Sequence, residues 1–265
     1  MPILNMIYWA SWSWPASEYT ITWSTSVGSF TLPQFSDLQG FFISPDGLNA
    51  YATFWNNWSG RMAQYSLSTA RNVSTASQVR YISLAKPNWF CFSNDGVYMF
   101  YSTETDNSIK RYTLSTPRDI STAAQDSGQS LSSTWSFAFN VCITENGEYI
   151  YFSPDVSRKL YQYQLTTPYD LTTATNQKTL STTQRSASAA VVNTGKYLLL
   201  AWPNGEAIKQ YELSTPYDIT STLTEVGSCS ISYGEARAFY VSDDCRYWAI
   251  WNTSNGITQY ESQPM

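Results

Sequence analysis

The chain has 265 residues, of which 16% are aromatic and only 13% charged, with a formal net charge of −5 and no histidine. Abundant Trp, Tyr and Phe with little charge exclude a disordered chain and favour strands, and the acidic balance offers no clustered Lys and Arg for nucleic acid. Without histidine the usual Ser and Cys catalytic triads are excluded. The four cysteines, Cys91, Cys142, Cys229 and Cys245, stand in no CxxC spacing, so neither a cofactor nor a structural transition-metal site is expected.

The opening run MPILNMIYWASWSWP has no basic segment and is broken by Asn5, Ser11, Ser13 and Pro15, which does not fit a secretory signal. No stretch reaches the roughly 18 apolar residues of a membrane-spanning helix, so membrane insertion is not expected. From about residue 41 the chain repeats itself. A turn signal recurs as SPDG at Ser44, SNDG at Ser93, TENG at Thr144, NTG at Asn193 and SDD at Ser242, each between two β-rich runs. Such pairs predict hairpins, because Gly takes positive φ without cost. A third run follows, beginning at Gln64, Arg111, Gln162 and Gln210 with QYSLSTARNVSTA, RYTLSTPRDISTA, QYQLTTPYDLTTA and QYELSTPYDITST, and at Gln259 with a truncated QYES. After each full copy lies a fourth strand-like run.

Four short strands in each period of roughly 50 residues make the blade of a propeller. The reading is one domain, an all-β, five-bladed β-propeller of four-stranded antiparallel blades, with repeats at about 41–89, 90–137, 138–187, 188–236 and 237–265. The last repeat stops after three strands. SWPASEYTITWSTS from Ser13 resembles STPYDITSTLTEVG from Ser214, so the N-terminal forty residues are expected to complete the last blade and cover an otherwise open edge.

Aligned on the turns, Ile43, Phe92, Ile143, Val191 and Val241 are apolar and should pack between blades. Ser44, Ser93, Thr144, Val192 and Ser242 alternate with them and should face the central channel. Cys91 and Cys142 hold equivalent places on neighbouring blades and read as small channel-lining thiols rather than a disulfide.

In the TPxD element, Pro117 with Asp119, Pro168 with Asp170 and Pro216 with Asp218, the Pro starts a turn and the Asp side chain bonds the backbone two residues on. One Asp per loop around a ring does not converge as a calcium site must. Asp46, Asp95, Glu145 and Asp243 are turn residues on different blades, not the facing pair that glycoside hydrolysis needs; Glu235 and Asp37 break the repeat and are the better acidic candidates, with Asp106 and Asp155 as additions.

Residues that differ between repeats while sharing one face are the candidate site. The links between blades carry Gln39, Asn88, Trp89, Trp135, Arg185, Glu235 and Arg237. The loops between second and third strands add Trp55, Trp58, Trp202, Trp251 and several Asn. Trp faces with amides suit sugars, whose C–H surface stacks while hydroxyls bond.

The phrases LSTPRDIST, LTTPYDLTT and LSTPYDIT, each after a Tyr strand, resemble a propeller repeat family of tailed phages and marine bacteria, over about residues 41 to 262. The resemblance implies a virion, tail or surface component, placed on a virion or at the extracellular surface. The five-blade count is also similar to the tachylectin class of lectins, from which no site residue carries over. The expected function is therefore a non-catalytic binding or structural module meeting a glycan or protein partner through the loop-rich face, able to assemble into a larger particle. The alternatives are a five-bladed glycoside hydrolase or lyase and a purely architectural subunit.

Overall fold

The computed structural model describes residues 19–30, 38–56, 59–132, 138–154, 158–182, 188–201, 207–230, 236–242, 244–252 and 256–264. They form five separate four-stranded antiparallel sheets, the five blades of a propeller. Blade 1 comprises Leu38–Ile43, Asn49–Asn56, Ser59–Leu67 and Ala76–Leu84, and blade 2 Pro87–Phe92, Tyr98–Thr103, Ser108–Leu114 and Ala123–Ser132. Blade 3 follows with Ala138–Ile143, Tyr149–Pro154, Lys159–Leu165 and Ala174–Ser181, and blade 4 with Ser188–Val192, Tyr197–Ala201, Ala207–Leu213 and Leu223–Ser230. Blade 5 has Ala236–Val241, Tyr247–Asn252 and Gly256–Pro264, and its fourth strand is the N-terminal Tyr19–Phe30, paired antiparallel with Gly256–Pro264. The ring closes as the sequence predicts.

Between blades the core is apolar. Ile43, Phe92, Ile143 and Val191 are buried, and Val241 is half-buried. Second strands supply the bulk of the packing through Phe54, Phe100, Phe152, Leu199 and Ile250, all 0 or 1% exposed, each such burial stabilising by about 1.5–3 kcal/mol relative to exposure.

The inner hairpins share one polar device. Ser44, Ser93, Thr144 and Ser242 each donate a hydroxyl hydrogen bond to the Asx two residues on, Asp46, Asp95, Asn146 and Asp244. Each hydroxyl also accepts from the amide five residues on, at 2.9 Å in Asn49, Tyr98 and Tyr247 and 3.1 Å in Tyr149. Ser93 and Ser242 do border the channel, but these hydroxyls are committed to their turns and do not line it as ligand groups. Blade 4 has Val192 instead, and its turn runs through Asn193 and Thr194, both at φ +50°.

The TPxD loops dock on these same turns. Arg71, Arg118, Tyr169 and Tyr217, the residue before each Asx, take φ between +58° and +65°, as the third residue of a Pro-led turn does when φ turns positive. Their amides donate to the carbonyls of Gly47, Gly96, Gly147 and Gly195. At Gly147 and Gly195 a Cβ would lie 2.4–2.7 Å from the rings of Tyr169 and Tyr217, so close approach as well as positive φ requires glycine there. Beyond the turn, Asn72, Asp119 and Asp170 each cap a one-turn 3-10 helix by accepting the amide two residues on, the role read from sequence.

Loops and blades are latched in series. Gln64 accepts from the Ile120 amide, Gln162 from Ile219 and Gln259 from Val73, at 3.4, 3.1 and 3.3 Å, each bond crossing to the next blade. The last joins blade 5 to blade 1. Blade 2 has Arg111 in place of the Gln, and there Gln129 accepts from Leu171 at 2.9 Å.

Candidate functional site

Five inner strands surround a cavity of about 530 Å³ on the propeller axis. Each inner strand lends it several consecutive residues, among them Ile43, Phe92, Ile143, Val191 and Val241. At the level four residues before the turns stand Phe42, Cys91, Cys142, Ala190 and Tyr240, and all five line the cavity. This ring is lopsided. Phe42 and Tyr240, on adjoining blades 1 and 5, meet edge to face with centroids 5.5 Å apart, while blades 2, 3 and 4 contribute only two thiols and a methyl. The void is the space those three small side chains leave.

The mouth of the cavity lies at the hairpin turns, where Pro45, Asn94, Glu145, Asn193, Thr194 and Asp244 join Arg71 and Arg118 from the TPxD loops. Both arginines are partly held: Arg71 Nη2 donates to the Pro45 carbonyl and Arg118 Nη2 to that of Asn94. The Nε of each is buried with no hydrogen-bond acceptor. Burial pushes Asp46 upward, but the Ser44 hydroxyl, the Leu48 amide and the charges of Arg118 and Arg71 outweigh it and hold the carboxyl below its usual range. Outside the cavity lining, on the same inner strand as Cys142, Asn140 is 2% exposed and neither atom of its amide is hydrogen-bonded. An amide so placed offers one acceptor and two donors that the protein leaves unused.

Four of the residues expected in exposed interblade loops lie in inner strands instead. Gln39, Asn88 and Trp89 lie within the inner strands of blades 1 and 2 and are buried. They occupy β-bulges, between Leu38 and Gly40 and between Pro87 and Phe90, where an extra residue prolongs a strand that sequence spacing ends earlier. The Asn88 carbonyl accepts from the Thr53 hydroxyl of the neighbouring blade and the Trp89 amide donates to Ser102, both at 3.0 Å. Trp89 nevertheless borders the cavity, at its end away from the turns. Arg237 lies on the inner strand of blade 5. Trp135, Arg185 and Glu235 fall outside the described residues, as do Asp37, Asp155 and Asp243. Asp106 is engaged in its own loop by Ser108 and Lys110.

What sequence reasoning missed is the ring of Phe42, Ala190 and Tyr240. The signal was available: at this one inward-facing position the repeat alternates between large aromatic and small. Among the described residues no group of three or more Cys, Asp and Glu is placed to hold a metal ion, and the two acids that line the cavity, Glu145 and Asp244, sit on the turns of non-adjacent blades.

No protein-family model matches the chain, and no curated protein does. Among solved structures, a protein named provisionally as a 6-phosphogluconolactonase from Bacteroides uniformis superposes with a TM-score of 0.50 at 13% identity, covering 90% of this chain and 74% of that one. A periplasmic gluconolactonase from Pseudomonas aeruginosa gives 0.50 at 13%, over 85% and 70%. A functionally unknown protein from Desulfotomaculum acetoxidans gives 0.49 at 14%, over 84% and 71%. At such identities the likeness is one of propeller fold.

Proposed function

We propose that the chain is a non-catalytic binding module that takes the end of a glycan, or a protein side chain of like shape, into the hairpin mouth of its channel. One observation carries this reading: the lopsided ring, in which Phe42 and Tyr240 form an aromatic wall opposite a void bounded by Cys91, Cys142 and Ala190. A cavity of about 530 Å³ with apolar walls and a few polar rim groups has the build of a small-ligand pocket. An aromatic wall covers the C–H face of a sugar while Arg71, Arg118, Asn94 and Glu145 stand where hydroxyls emerge. The hairpin mouth replaces the loop-rich mouth as the favoured face, because the cavity opens there. Placement on a virion or cell surface rests on the sequence resemblance alone.

The lactonase names of two structural neighbours keep an enzyme as the second reading. Hydrolysis needs a base or nucleophile over the void, and the chain has no histidine to supply it. Glu145 and Asp244 are the acids within reach.

A glycan array, followed by calorimetry on the hits, tests the proposal. Ala190→Phe fills the void without removing a core side chain and should abolish binding while the protein still melts cooperatively. Binding that survives Ala190→Phe but is lost in Trp135→Ala or Arg237→Ala would move the site to the opposite mouth. Turnover of an oligosaccharide or sugar lactone, lost in Glu145→Gln or Asp244→Asn, would make the protein an enzyme.

A further inference from the structure

We infer a second binding site, for a neutral sugar unit, in the groove between the outer strands of blade 3 and the repeated loop of blade 4. The groove has a volume of about 460 Å³. Tyr149 and the third and fourth strands of blade 3 bound it on one side and the 215–218 loop of blade 4 on the other, and it shares no lining residue with the channel cavity.

Comparison of the blade junctions shows how the groove arises. Between blades 2 and 3, Arg111 lies over the Tyr98 ring, 4.7 Å from its centroid, and pairs with Asp126 at 2.6 Å. Between blades 5 and 1, Arg71 and Arg246 lie over the Tyr247 ring, and Arg246 pairs with Glu261 at 2.8 Å. Blade 3 keeps the tyrosine as Tyr149 but has Gln162 in place of Arg111, and that side chain is turned to the Ile219 amide. Opposite Tyr149 stands Gln164, where blade 5 sets Glu261 opposite Tyr247. Tyr217 stacks on Tyr149 with centroids 5.3 Å apart, and the groove is the room that the absent ion pair leaves.

The groups that remain select the ligand. Lys178 and Asp218, the charged side chains that border the groove, pair with each other at 2.7 Å, so it carries no net charge. A β-bulge sets Asn176 and Gln177 out of the strand pairing. Asn176 Nδ2 donates to Gln164 Oε1 at 2.9 Å, and Gln177 Oε1 accepts from the Tyr163 hydroxyl at 2.8 Å. Because each amide has an acceptor and two donors, these bonds leave the Asn176 oxygen and the NH₂ groups of Gln164 and Gln177 for a ligand. Hydroxyls use both kinds, since they donate and accept, whereas peptide carbonyls only accept. Tyrosine rings beside such amides match the C–H and hydroxyl surfaces of a neutral sugar. The site needs neither the aromatic wall nor the void of the channel.

Saturation-transfer NMR of the full chain with neutral hexoses and N-acetylhexosamines, as free mono- and disaccharides, followed by calorimetry on the binders, tests the site. Binding should persist in Ala190→Phe, whose channel is filled. Gln177→Ala and Asn176→Gly, the latter suited to the φ of +49° at that position, should each weaken it about two- to tenfold, as loss of one hydrogen bond does, and together abolish it. Both side chains are exposed, and circular dichroism of each variant separates lost binding from lost fold. Binding lost in Ala190→Phe and untouched by the groove variants would overturn the inference and leave the channel reading standing; the reverse result would uphold the groove and count against the channel. No binding of any of these saccharides, or binding of a Pro-rich peptide in their stead that the same variants abolish, would also overturn it.

Discussion

At the scale of the single residue, the Asx of each repeated loop does more than start a turn. Asp170 caps its 3-10 helix through the Thr172 amide at 2.9 Å, takes the Thr172 hydroxyl at 2.7 Å and receives the Gln129 side chain from the preceding blade at 2.9 Å. Arg80 reaches Asp119 in the same way, and Lys178 reaches Asp218. Asp170→Ala should therefore cost about 0.5–2 kcal/mol, the usual loss for a cap, in urea unfolding. Asp170→Asn should cost far less, because Asn72 already fills the equivalent place with its oxygen accepting from the Ser74 amide and hydroxyl. Calcium should change neither result. The Thr172 hydroxyl, then Gln129, hold the Asp170 carboxyl below its usual range, and the Ser121 hydroxyl and Arg80 do so for Asp119. A folded pKa below the unfolded value of about 3.9 gives stability that is complete above that value and lost as pH falls through the folded one. Thermal melts should thus fall off below about pH 4, and the Asp119→Asn/Asp170→Asn pair should flatten that slope. This role was legible because Asx chemistry is local. The burial of Gln39, Asn88 and Trp89 was not, because one inserted bulge residue shifts every later side chain by one place without altering composition.

At the scale of the element, the sequence displays the repeated Gln of QYxL but not its reason, since its partner lies in the next repeat. The Gln162 side-chain oxygen, Oε1, accepts from the Ile219 amide, and both residues are buried, at 2 and 0% exposure. Gln162→Leu keeps the volume roughly constant and strands that amide, which should cost about 1–3 kcal/mol. A loss below about 0.5 kcal/mol would mean water replaces the glutamine. The same logic explains the deviant RYTL phrase of blade 2. Tyr51 and Tyr151 donate their hydroxyls across blades to the carbonyls of Arg118 and Tyr217. Blade 2 has Phe100 there, and Arg111 donates to the Tyr169 carbonyl instead, at 2.8 Å, leaving Gln129 to take the latch. Two departures from the repeat that look independent in the sequence are one exchange of partners.

At the scale of the whole molecule, blade number and closure were readable because each blade repeats the same four runs and the last repeat is one strand short. The cavity was not, because it arises from side chains of five distant segments meeting on one axis. Closure makes the sharpest prediction. Tyr19 pairs with Pro264 and Phe30 with Ile257, so the N-terminal strand starts where the last strand ends, in the relation that third and fourth strands have within blades 1 to 4. Joining Met265 to Met1 and opening the chain between Pro33 and Gln34 would convert the shared blade into an ordinary one, with the residues before Tyr19 as its third-to-fourth connection. This permutant should fold and melt within a few degrees of the wild type. Deleting residues 1–35 should instead bare the edge of Gly256–Pro264 and lead to aggregation or loss of a cooperative transition, even though Gln259 still reaches Val73. A synthetic peptide of residues 13–35 added in trans should restore the transition by adding a strand to that edge. A deletion variant that stays monomeric and melts as before, beside a permutant that does not fold, would show that the ring is held by its inner contacts and not by the shared blade.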